Sequence, residues 1–567
     1  MGRRPQPVFP AGAPEERPRL AADLFVECLE NEGVEFVFGI PGEETLDLSE
    51  ALDRSIQITF VPTRHEQGAA FMADAYGRLT GRPGVCLATL GPGATNLATG
   101  IGDANLDHAP LVALTGQTEL AGMHKATTHQ FIDTVEMFRP MTKWNTRVHD
   151  PRMVAEAVRK AFSIAAAEKP GATHLELPSD VMESPVTTRP MPVGPEPVLS
   201  ADPVGLLRTT ELLQEADLPV LLVGNGVVRQ GASAALRTLC EQTGLRAITT
   251  FMGKGVLDAS DPHFLFTAGL RSQDYPQGLL GRADLVLTVG YDMIEWPPSA
   301  WNPDGSQRIV CIDTVPPEID AHFVPEVELV GELSTILFQL ARLLEGKEIR
   351  HMKTKPYRRA MLTVLDTGTD EDYPIKPQRV LHDLREVMTL DDILISDVGA
   401  HKLWVSRFWE AREPNTVLIS NGFASMGFGL PAAIAAALAG GGRHKIVCVT
   451  GDGGFLMNVQ ELETAKRLGL PFVVLVWSDG GYGLIEMHQR RKYGRVAGTR
   501  FDNPDLVGLA RSFGIEGLRA TKAGDVKPLL AKALRSAGPV VLDIPIDYAE
   551  NDKLGIDLWQ LAPETLA

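Results

Sequence analysis

The chain has 567 residues, too many for one hydrophobic core, and fits about three domains of ordinary size. Its hydrophobic content of 44% and charged content of 22% are typical of a globular protein. The formal net charge of −18 argues against nucleic acid and anionic membranes as partners, because phosphate contacts need clustered Lys and Arg. We therefore expect small molecules, or further copies of the chain, as partners.

Cysteine usage indicates the compartment. The five cysteines are far apart and form no Cys-x-x-Cys pair, so neither a zinc site nor a disulfide framework is indicated. This pattern suits a reducing cytoplasm, which is where we expect the protein. The longest stretch of small apolar residues, 429–442, is shorter than the roughly 20 residues that a membrane span needs, so we expect no membrane segment.

Helical and strand patterns alternate along most of the chain, which predicts parallel sheets with helices on both faces. Proline-rich or charged stretches interrupt this alternation twice and are predicted to be linkers. We predict a flexible tail at 1–18, a first α/β domain at 19–185, a linker at 186–203, a central α/β domain at 204–344, a linker at 345–376, a third α/β domain at 377–550 and a C-terminal tail at 551–567. In the central domain we predict strands at 220–223, 247–250, 285–289 and 308–312.

The third domain contains two buried strand patterns that each end at an acid. The apolar run 446–450 leads into the turn Gly451-Asp452-Gly453-Gly454, and the run 472–477 leads into Ser478-Asp479-Gly480-Gly481, with a predicted helix at 459–468 between them. Parallel strands place their carboxyl ends at one edge of the sheet, so the two acids should meet there. Two carboxylates beside glycine amides suit Mg²⁺ with a diphosphate. The alternative is that the two acids only cap helices.

A third acid, Glu66, follows a β-branched strand pattern in the first domain and begins an Ala-rich helix. Taken alone, it fits a solvated first-turn glutamate favoured by the helix dipole. The spacing in the third domain is more informative: Gly451-Asp452-Gly453 is followed, after the 25 residues 454–478, by Asp479, which resembles the thiamin diphosphate (ThDP) fingerprint.

From about residue 20 to 548 the chain resembles ThDP-dependent enzymes of the acetolactate synthase (acetohydroxyacid synthase) family. The resemblance implies three doubly wound α/β domains in the order pyrimidine-binding, central and diphosphate-binding. It rests on Phe38-Gly39-Ile40-Pro41-Gly42, Arg64-His65-Glu66, Leu90-Gly91-Pro92-Gly93-Ala94-Thr95-Asn96, His129-Gln130, Phe138-Arg139-Pro140-Met141-Thr142-Lys143, Ser425-Met426-Gly427-Phe428-Gly429-Leu430-Pro431 and the turn-to-Asp479 fingerprint.

The resemblance also implies roles for individual residues. Glu66 would bond to N1′ of the aminopyrimidine and Gln130 would face the reaction centre, although a buried, backbone-bonded glutamine is the alternative for Gln130. Met426 would support the bent cofactor, although methionine is also a common core filler. The remaining implied contacts are Ala424 and Tyr482 to the cofactor, Ala400, His401, Gly453 and Gly454 to the diphosphate, Asp452, Asp479 and the carbonyl of Gly481 to Mg²⁺, and Leu484, Ile485 and His488 to the substrate pocket.

Three positions depart from the family pattern. Asp479 stands where Asn is usual, which keeps an oxygen ligand and adds charge. His488 stands where biosynthetic members commonly carry Trp, which implies a differently shaped acceptor pocket. The stretch 290–296 lacks the Arg-Phe-Asp-Asp-like sequence of flavin-binding members, so we expect no FAD and the closest likeness to the catabolic, FAD-independent type.

The expected reaction is carboligation. Pyruvate would be decarboxylated and its hydroxyethyl unit transferred to a second 2-oxo acid to give 2-acetolactate. Alternatives with the same cofactor are a 2-oxo acid decarboxylase, an oxidase or a carboxyethylarginine synthase-like enzyme. A non-catalytic alternative is a scaffold or regulatory subunit with the ThDP fold, against which the intact Glu66, Asp452 and Asp479 argue. The resemblance implies a homodimer or a dimer of dimers, a homotetramer, with sites built across the interface.

Overall fold

The computed structural model describes residues 19–194, 199–270, 275–350, 355–365 and 371–555. The tail predicted at 1–18 and most of the tail predicted at 551–567 lie outside these residues. The described strands form three six-stranded sheets in which every neighbouring pair is parallel. The predicted fold class, three α/β units with parallel sheets, is confirmed.

The first sheet has the strand order β2-β1-β3-β4-β6-β5. Its strands are β1 (Phe36–Gly39), β2 (Thr59–Pro62), β3 (Gly84–Ala88), β4 (Leu111–Gln117), β5 (Trp144–Arg147) and β6 (Ala172–Pro178). The helices of this part are α1 (Ala21–Asn31), α2 (Leu46–Arg54), α3 (Glu66–Thr80), α4 (Pro92–Leu106), α5 (Thr134–Phe138), α6 (Val154–Ala166) and α7 (Ser179–Met182).

The second sheet has the order β12-β11-β10-β7-β8-β9. Its strands are β7 (Pro219–Val223), β8 (Arg246–Thr249), β9 (Phe264–Thr267), β10 (Leu285–Val289), β11 (Arg308–Asp313) and β12 (Val327–Val330), so the four strands predicted here are confirmed. The helices are α8 (Pro203–Glu215), α9 (Asn225–Arg229), α10 (Ser233–Thr243), α11 (Tyr275–Leu280), α12 (Leu333–Leu343) and α13 (Lys355–Leu365).

The third sheet has the order β14-β13-β15-β16-β18-β17. Its strands are β13 (Ile393–Ser396), β14 (Val417–Ile419), β15 (Ile446–Gly451), β16 (Val473–Ser478), β17 (Glu516–Arg519) and β18 (Val540–Pro545). The helices are α14 (Pro377–Val387), α15 (Ala400–Phe408), α16 (Gly429–Gly440), α17 (Asp452–Met457), α18 (Glu461–Leu468), α19 (Gly483–Tyr493), α20 (Leu506–Ser512) and α21 (Val526–Ala533). The central strands are mostly apolar and almost fully buried because helices cover both faces of the sheet.

Three stretches are more ordered than the sequence patterns predict. The predicted glycine turn is the first turn of α17, because glycine lets this helix pack closely: a Cβ on Gly454 would lie 2.7 Å from Oδ2 of Asp397. The predicted linker at 345–376 contains α13, which buries Tyr357 and Met361 against the central core. At the start of the predicted C-terminal tail, Asn551 is buried and accepts a hydrogen bond from Nε1 of Trp404.

The first and third sheets share one hydrophobic core within the chain. Helix α3 packs against α16, and Phe71 meets Phe428 edge to face, with ring centroids 5.7 Å apart. Among the described helices, none is both long enough and apolar enough to cross a membrane.

Candidate active site

Three helices begin at one edge of the third sheet. The neighbouring strands β13, β15 and β16 lead into α15, α17 and α19, so the positive ends of these helices lie at the same edge. Backbone N–H groups at helix starts bind anions, especially phosphates. The predicted diphosphate contacts Ala400, His401, Gly453 and Gly454 all lie in the first turns of α15 and α17.

The side chains around Gly453 leave no room for a larger residue. A Cβ at this position would lie 2.8 Å from Cε1 of Tyr482 and 3.5 Å from Cε of Met426. The predicted cofactor contacts Tyr482 and Met426 therefore meet at the start of α17, in contact with solvent rather than in the core. Ala424 lies two residues before Met426 with a φ of 55°, a left-handed conformation that few residues other than glycine adopt.

The two predicted metal ligands lie together. Asp452 is 1% exposed, and its Oδ2 accepts N–H bonds from Asp479 at 3.0 Å, Gly480 at 2.8 Å and the side chain of Asn503 at 2.6 Å. Burial and the neighbouring Asp452 carboxylate raise the pKa of Asp479 to about 7. A divalent cation between the two acids would offset this repulsion, so the oxygen donors present, including the carbonyl of Gly481, fit Mg²⁺.

His401 also fits an anionic ligand. Its side chain is buried, and Nε2 has no hydrogen-bond partner among the described residues. Burial lowers the pKa of His401 to about 4, so the ring is neutral at pH 7. A neutral imidazole still offers one N–H donor, which a phosphate oxygen would satisfy.

Asp397 connects the segment after β13 with the loop before α16, and the sequence patterns predicted no role for it. Its carboxylate accepts the N–H of Val398, the N–H of Gly427 and the hydroxyl of Thr450. Burial raises the pKa of Asp397 to about 6. The sequence did contain one indication of this role: Asp397 directly follows β13, at the same edge of the sheet as Asp452. Asn503 was missed as well, since no motif marks its link to Asp452.

Glu66 and Gln130 lie together at the edge of the first sheet. Glu66 begins α3, is buried, and its Oε2 accepts a bond from Nδ2 of Asn96 at 2.9 Å. Gln130 has a φ of 56° and is exposed, so its own chain does not bury it as the alternative for this residue required. Both flank the loop after β3: a Cβ on Gly93 would lie 3.4 Å from Oε1 of Glu66, and one on Gly91 would lie 2.6 Å from the carbonyl oxygen of Gln130.

Helix α19, which follows Asp479 and Gly481, has two different faces. Leu484, Ile485 and His488, the predicted pocket residues, fall on one side of the helix by their spacing. The opposite side, with Glu486 and Arg490, lines a cavity of about 360 Å³ beside Asp479. The predicted pocket residues do not line this cavity, and Ile485 is half-exposed.

Comparison with known proteins agrees with this geometry. Models of thiamine pyrophosphate (ThDP) enzymes match all three domains: the N-terminal TPP binding domain at 19–137, the central domain at 206–340 and the C-terminal TPP binding domain at 397–544. The acetolactate synthase of Bacillus subtilis (strain 168) is 37% identical over 548 residues, which cover 94% of this chain and 95% of the relative.

Two further relatives are similar over more than nine-tenths of their length. The catabolic acetolactate synthase of Raoultella terrigena is 35% identical, covering 94% of this chain and 96% of its own. A probable acetolactate synthase large subunit of Methanocaldococcus jannaschii is also 35% identical, covering 93% of this chain and 92% of its own. The resemblance found in the motifs is confirmed: the chain belongs to the acetolactate synthase family of thiamine pyrophosphate enzymes.

Proposed function

We propose that the chain is a ThDP- and Mg²⁺-dependent acetolactate synthase, which decarboxylates pyruvate and transfers the remaining two-carbon unit to a second 2-oxo acid. The observation that carries this proposal is the meeting of Asp452 and Asp479 among three helix starts. The relatives, which are named acetolactate synthases and match nearly the whole chain, support the carboligase reaction over other ThDP chemistries.

In this proposal the third domain holds the cofactor by its charged end. Asp452, Asp479 and the carbonyl of Gly481 bind Mg²⁺, and the starts of α15 and α17 bind the diphosphate. Tyr482, Met426 and Ala424 support the pyrimidine end. Bound ThDP supplies the electron sink that decarboxylation of a 2-oxo acid requires.

The first domain supplies the acid–base groups. Glu66 holds a proton at N1′ of the aminopyrimidine, and Asn96 orients the Glu66 carboxylate through its amide. Gln130 is placed to contact the substrate carboxylate or carbonyl, since its amide is exposed at the same edge as Glu66.

Product analysis tests the reaction. We expect pyruvate alone to give CO₂ and 2-acetolactate, and Glu66→Gln to lower kcat by at least roughly 100-fold, because general acid–base catalysis contributes about that much or more. ThDP binding, measured by calorimetry, should persist in this variant. Glu156→Gln, which changes an exposed first-turn glutamate of α6, is the matched control and should keep full activity.

The alternatives give different products. Acetaldehyde without a carbon–carbon product would indicate a decarboxylase, and acetate or acetyl phosphate with consumption of oxygen would indicate an oxidase. Formation of carboxyethylarginine only when arginine is supplied as the acceptor, with no 2-acetolactate, would indicate a carboxyethylarginine synthase-like enzyme. Unchanged turnover in Glu66→Gln would remove Glu66 from its role.

We also propose that the enzyme needs no FAD. A Cβ on Gly224 would lie 2.5 Å from the carbonyl oxygen of Gly290, and one on Gly226 would lie 2.6 Å from its Cα. The glycine turn after β7 is therefore covered by the chain's own loop 290–296, and Glu295 of this loop accepts the N–H of Asn225 at 2.9 Å.

The visible spectrum of protein purified without added cofactors tests this. We expect no flavin absorbance, because the loop fills the place that a dinucleotide would take on the glycine turn. One flavin per chain, released on denaturation and identified by its spectrum, would show that the loop moves aside.

For assembly and location we propose a cytoplasmic homodimer or dimer of dimers. The described cysteines are all free and buried, as a reducing compartment allows. The face that bears the cofactor residues also exposes large apolar side chains, including those of Phe423, Tyr482 and Ile485.

A further inference from the structure

A short segment, 499–501, runs antiparallel to the metal loop, which we define as residues 479–482 between β16 and α19. Gly481 forms a β-bridge with Arg500. The N–H of Tyr482 donates to the carbonyl of Thr499 at 3.0 Å, and the N–H of Phe501 donates to the carbonyl of Gly480 at 3.1 Å. The backbone of the metal loop is therefore held by residues that lie about twenty positions further along the chain.

The side chain of Arg500 adds a second connection. Its Nη1 donates to the carbonyl oxygen of Asp479 at 2.9 Å and lies 3.7 Å from Oδ2 of the same residue. Its Nη2 donates to Oε2 of Glu486, in the first turn of α19. The planar guanidinium thus bridges the beginning of the metal loop and the helix that follows it.

Glu486 is fixed from other directions. Its side chain is buried, and Oε1 accepts the hydroxyl of Thr499 at 3.0 Å. Its Oε2 lies 3.5 Å from Nη2 of Arg490, a weaker contact than that with Arg500. Because Glu486 is held in place, it fixes the direction in which the Arg500 guanidinium faces.

Gly481 lies directly beneath the Arg500–Glu486 pair. A Cβ at Gly481 would lie 3.0 Å from Oε1 of Glu486 and 3.3 Å from Nη1 of Arg500. A side chain here would push the pair away from the loop. The glycine and the ion pair therefore fit together, and they fix the residue whose carbonyl is proposed to bind the metal.

We propose that Arg500, paired with Glu486, is a positioning residue for the divalent cation: it holds the Asp479 carboxylate and the Gly481 carbonyl where the ion needs them. This role rests on the ThDP- and Mg²⁺-dependent function proposed above. Outer groups that orient metal ligands change metal affinity by about 10–100-fold when they are lost. An exposed ion pair without such a role contributes little, and the Arg500 side chain is 55% exposed.

The test measures binding rather than turnover. Full-length wild type, Arg500→Gln, Arg500→Lys and Arg490→Gln are titrated with Mg²⁺ at fixed ThDP, and ThDP binding is followed by tryptophan fluorescence and by calorimetry. Arg490 is the matched control, because it faces the same Glu486 oxygen and is 52% exposed, but makes none of the described contacts with Asp479.

We expect Arg500→Gln to raise the Mg²⁺ concentration at half-saturation by about tenfold or more. Arg490→Gln should change it by less than about twofold, since this side chain contributes only an exposed ion pair. Arg500→Lys should be intermediate, because an ammonium group does not span the Asp479 carbonyl and Glu486 in the way that a guanidinium does.

Two results would overturn the role of Arg500. One is the same Mg²⁺ half-saturation in Arg500→Gln as in wild type, and the other is an equal rise in Arg490→Gln. Wild type that binds ThDP with no dependence on a divalent cation would instead contradict the proposed metal site itself. The thermal midpoint of the metal-free variants separates a general loss of stability from the loss of metal binding, because only the former lowers it.

Discussion

The carboxyl of Glu295, in the loop 290–296 of the central domain, makes the stability of the protein depend on pH. Its oxygens accept the N–H of Asn225 and the hydroxyl of Thr250. Burial raises the pKa of Glu295 from an ordinary value of 4.5 to about 7. The folded state therefore binds a proton that the unfolded chain has lost between these two values, and this group's contribution to stability falls as the pH rises through that range.

Glu295→Gln should remove this dependence, because the amide mimics the protonated acid. We expect the stability of the variant relative to wild type to be higher at pH 8 than at pH 5.5 by on the order of 2 kcal/mol, since each unit of pKa shift corresponds to about 1.4 kcal/mol. Thermal unfolding at the two pH values measures it. Glu328→Gln, an exposed glutamate of β12, is the control, and an equal difference at both pH values would contradict the assignment.

Single residues of the site differ in how well the sequence predicts their place. Asp452 and Asp479 were predictable to lie together, because parallel neighbouring strands end at one edge of a sheet. Asp397, Asn503 and Arg500 were not, since their contacts depend on loops that are far apart in the chain and have no periodic pattern. The cavity beside α19 was also unforeseen, because it depends on how the segment after β18 packs against that helix.

At the scale of elements, helix α3 connects the two parts of the site. It begins at Glu66 and carries the buried Arg78 in its last turn. Arg78 forms ion pairs with Asp74, Asp103 and Asp107, all of which are buried. Asp103 and Asp107 are in turn bonded to the loop of the third domain that contains Ala424 and Met426.

Arg78, its acidic partners and this loop form a hydrogen-bonded network. A substitution of Ser420 in the loop is the simplest test of it. The Ser420 hydroxyl donates to Oδ1 of Asp103 at 2.7 Å and accepts the N–H of Ser425 at 3.0 Å. Ser420→Ala leaves both groups without this partner, so we expect a loss of stability of about 1–3 kcal/mol and weaker ThDP binding. Unfolding and ThDP titration measure the two effects.

Ser425→Ala is the control within the same loop, because among the described residues the Ser425 hydroxyl has one long contact, 3.5 Å from the carbonyl oxygen of Met426. Equal losses in the two serine variants would contradict a specific role of the network. An effect on stability with unchanged ThDP affinity would show that the network supports the fold and does not position the loop.

The sequence predicted the buried strands better than some of the helices, and the reason is physical. Runs rich in aliphatic and β-branched residues in β7, β10 and β15 mark strands that are buried on both faces, so their positions follow from the sequence. Helices α13 and α17 were missed, since α13 lies in a charged stretch and α17 begins at glycines that usually indicate turns. In both cases packing against a neighbouring core outweighs the local preference.

At the scale of the whole molecule, the parts of the proposed site lie at the edges of two different sheets. Within the described residues, the Glu66 carboxylate has one hydrogen bond, to Asn96 of its own domain. Gln130 is exposed, and so are Tyr482 and Ile485 beside the metal loop. A second copy of the chain that covers these surfaces would bring Glu66 of one chain to the diphosphate edge of the other.

Complementation between inactive chains tests this arrangement. We expect Glu66→Gln and Asp452→Ala to be inactive alone, and an equal mixture to recover about a quarter of wild-type activity, because half of randomly paired dimers are mixed and each has one intact site. Native mass spectrometry of differently tagged chains verifies the exchange, and a mixture of wild type with the double variant Glu66→Gln, Asp452→Ala is the control. Recovery should rise with ThDP and Mg²⁺, since a ligand that spans the interface stabilises the assembled form. If exchange is verified and no activity returns, both acids of each site belong to one chain.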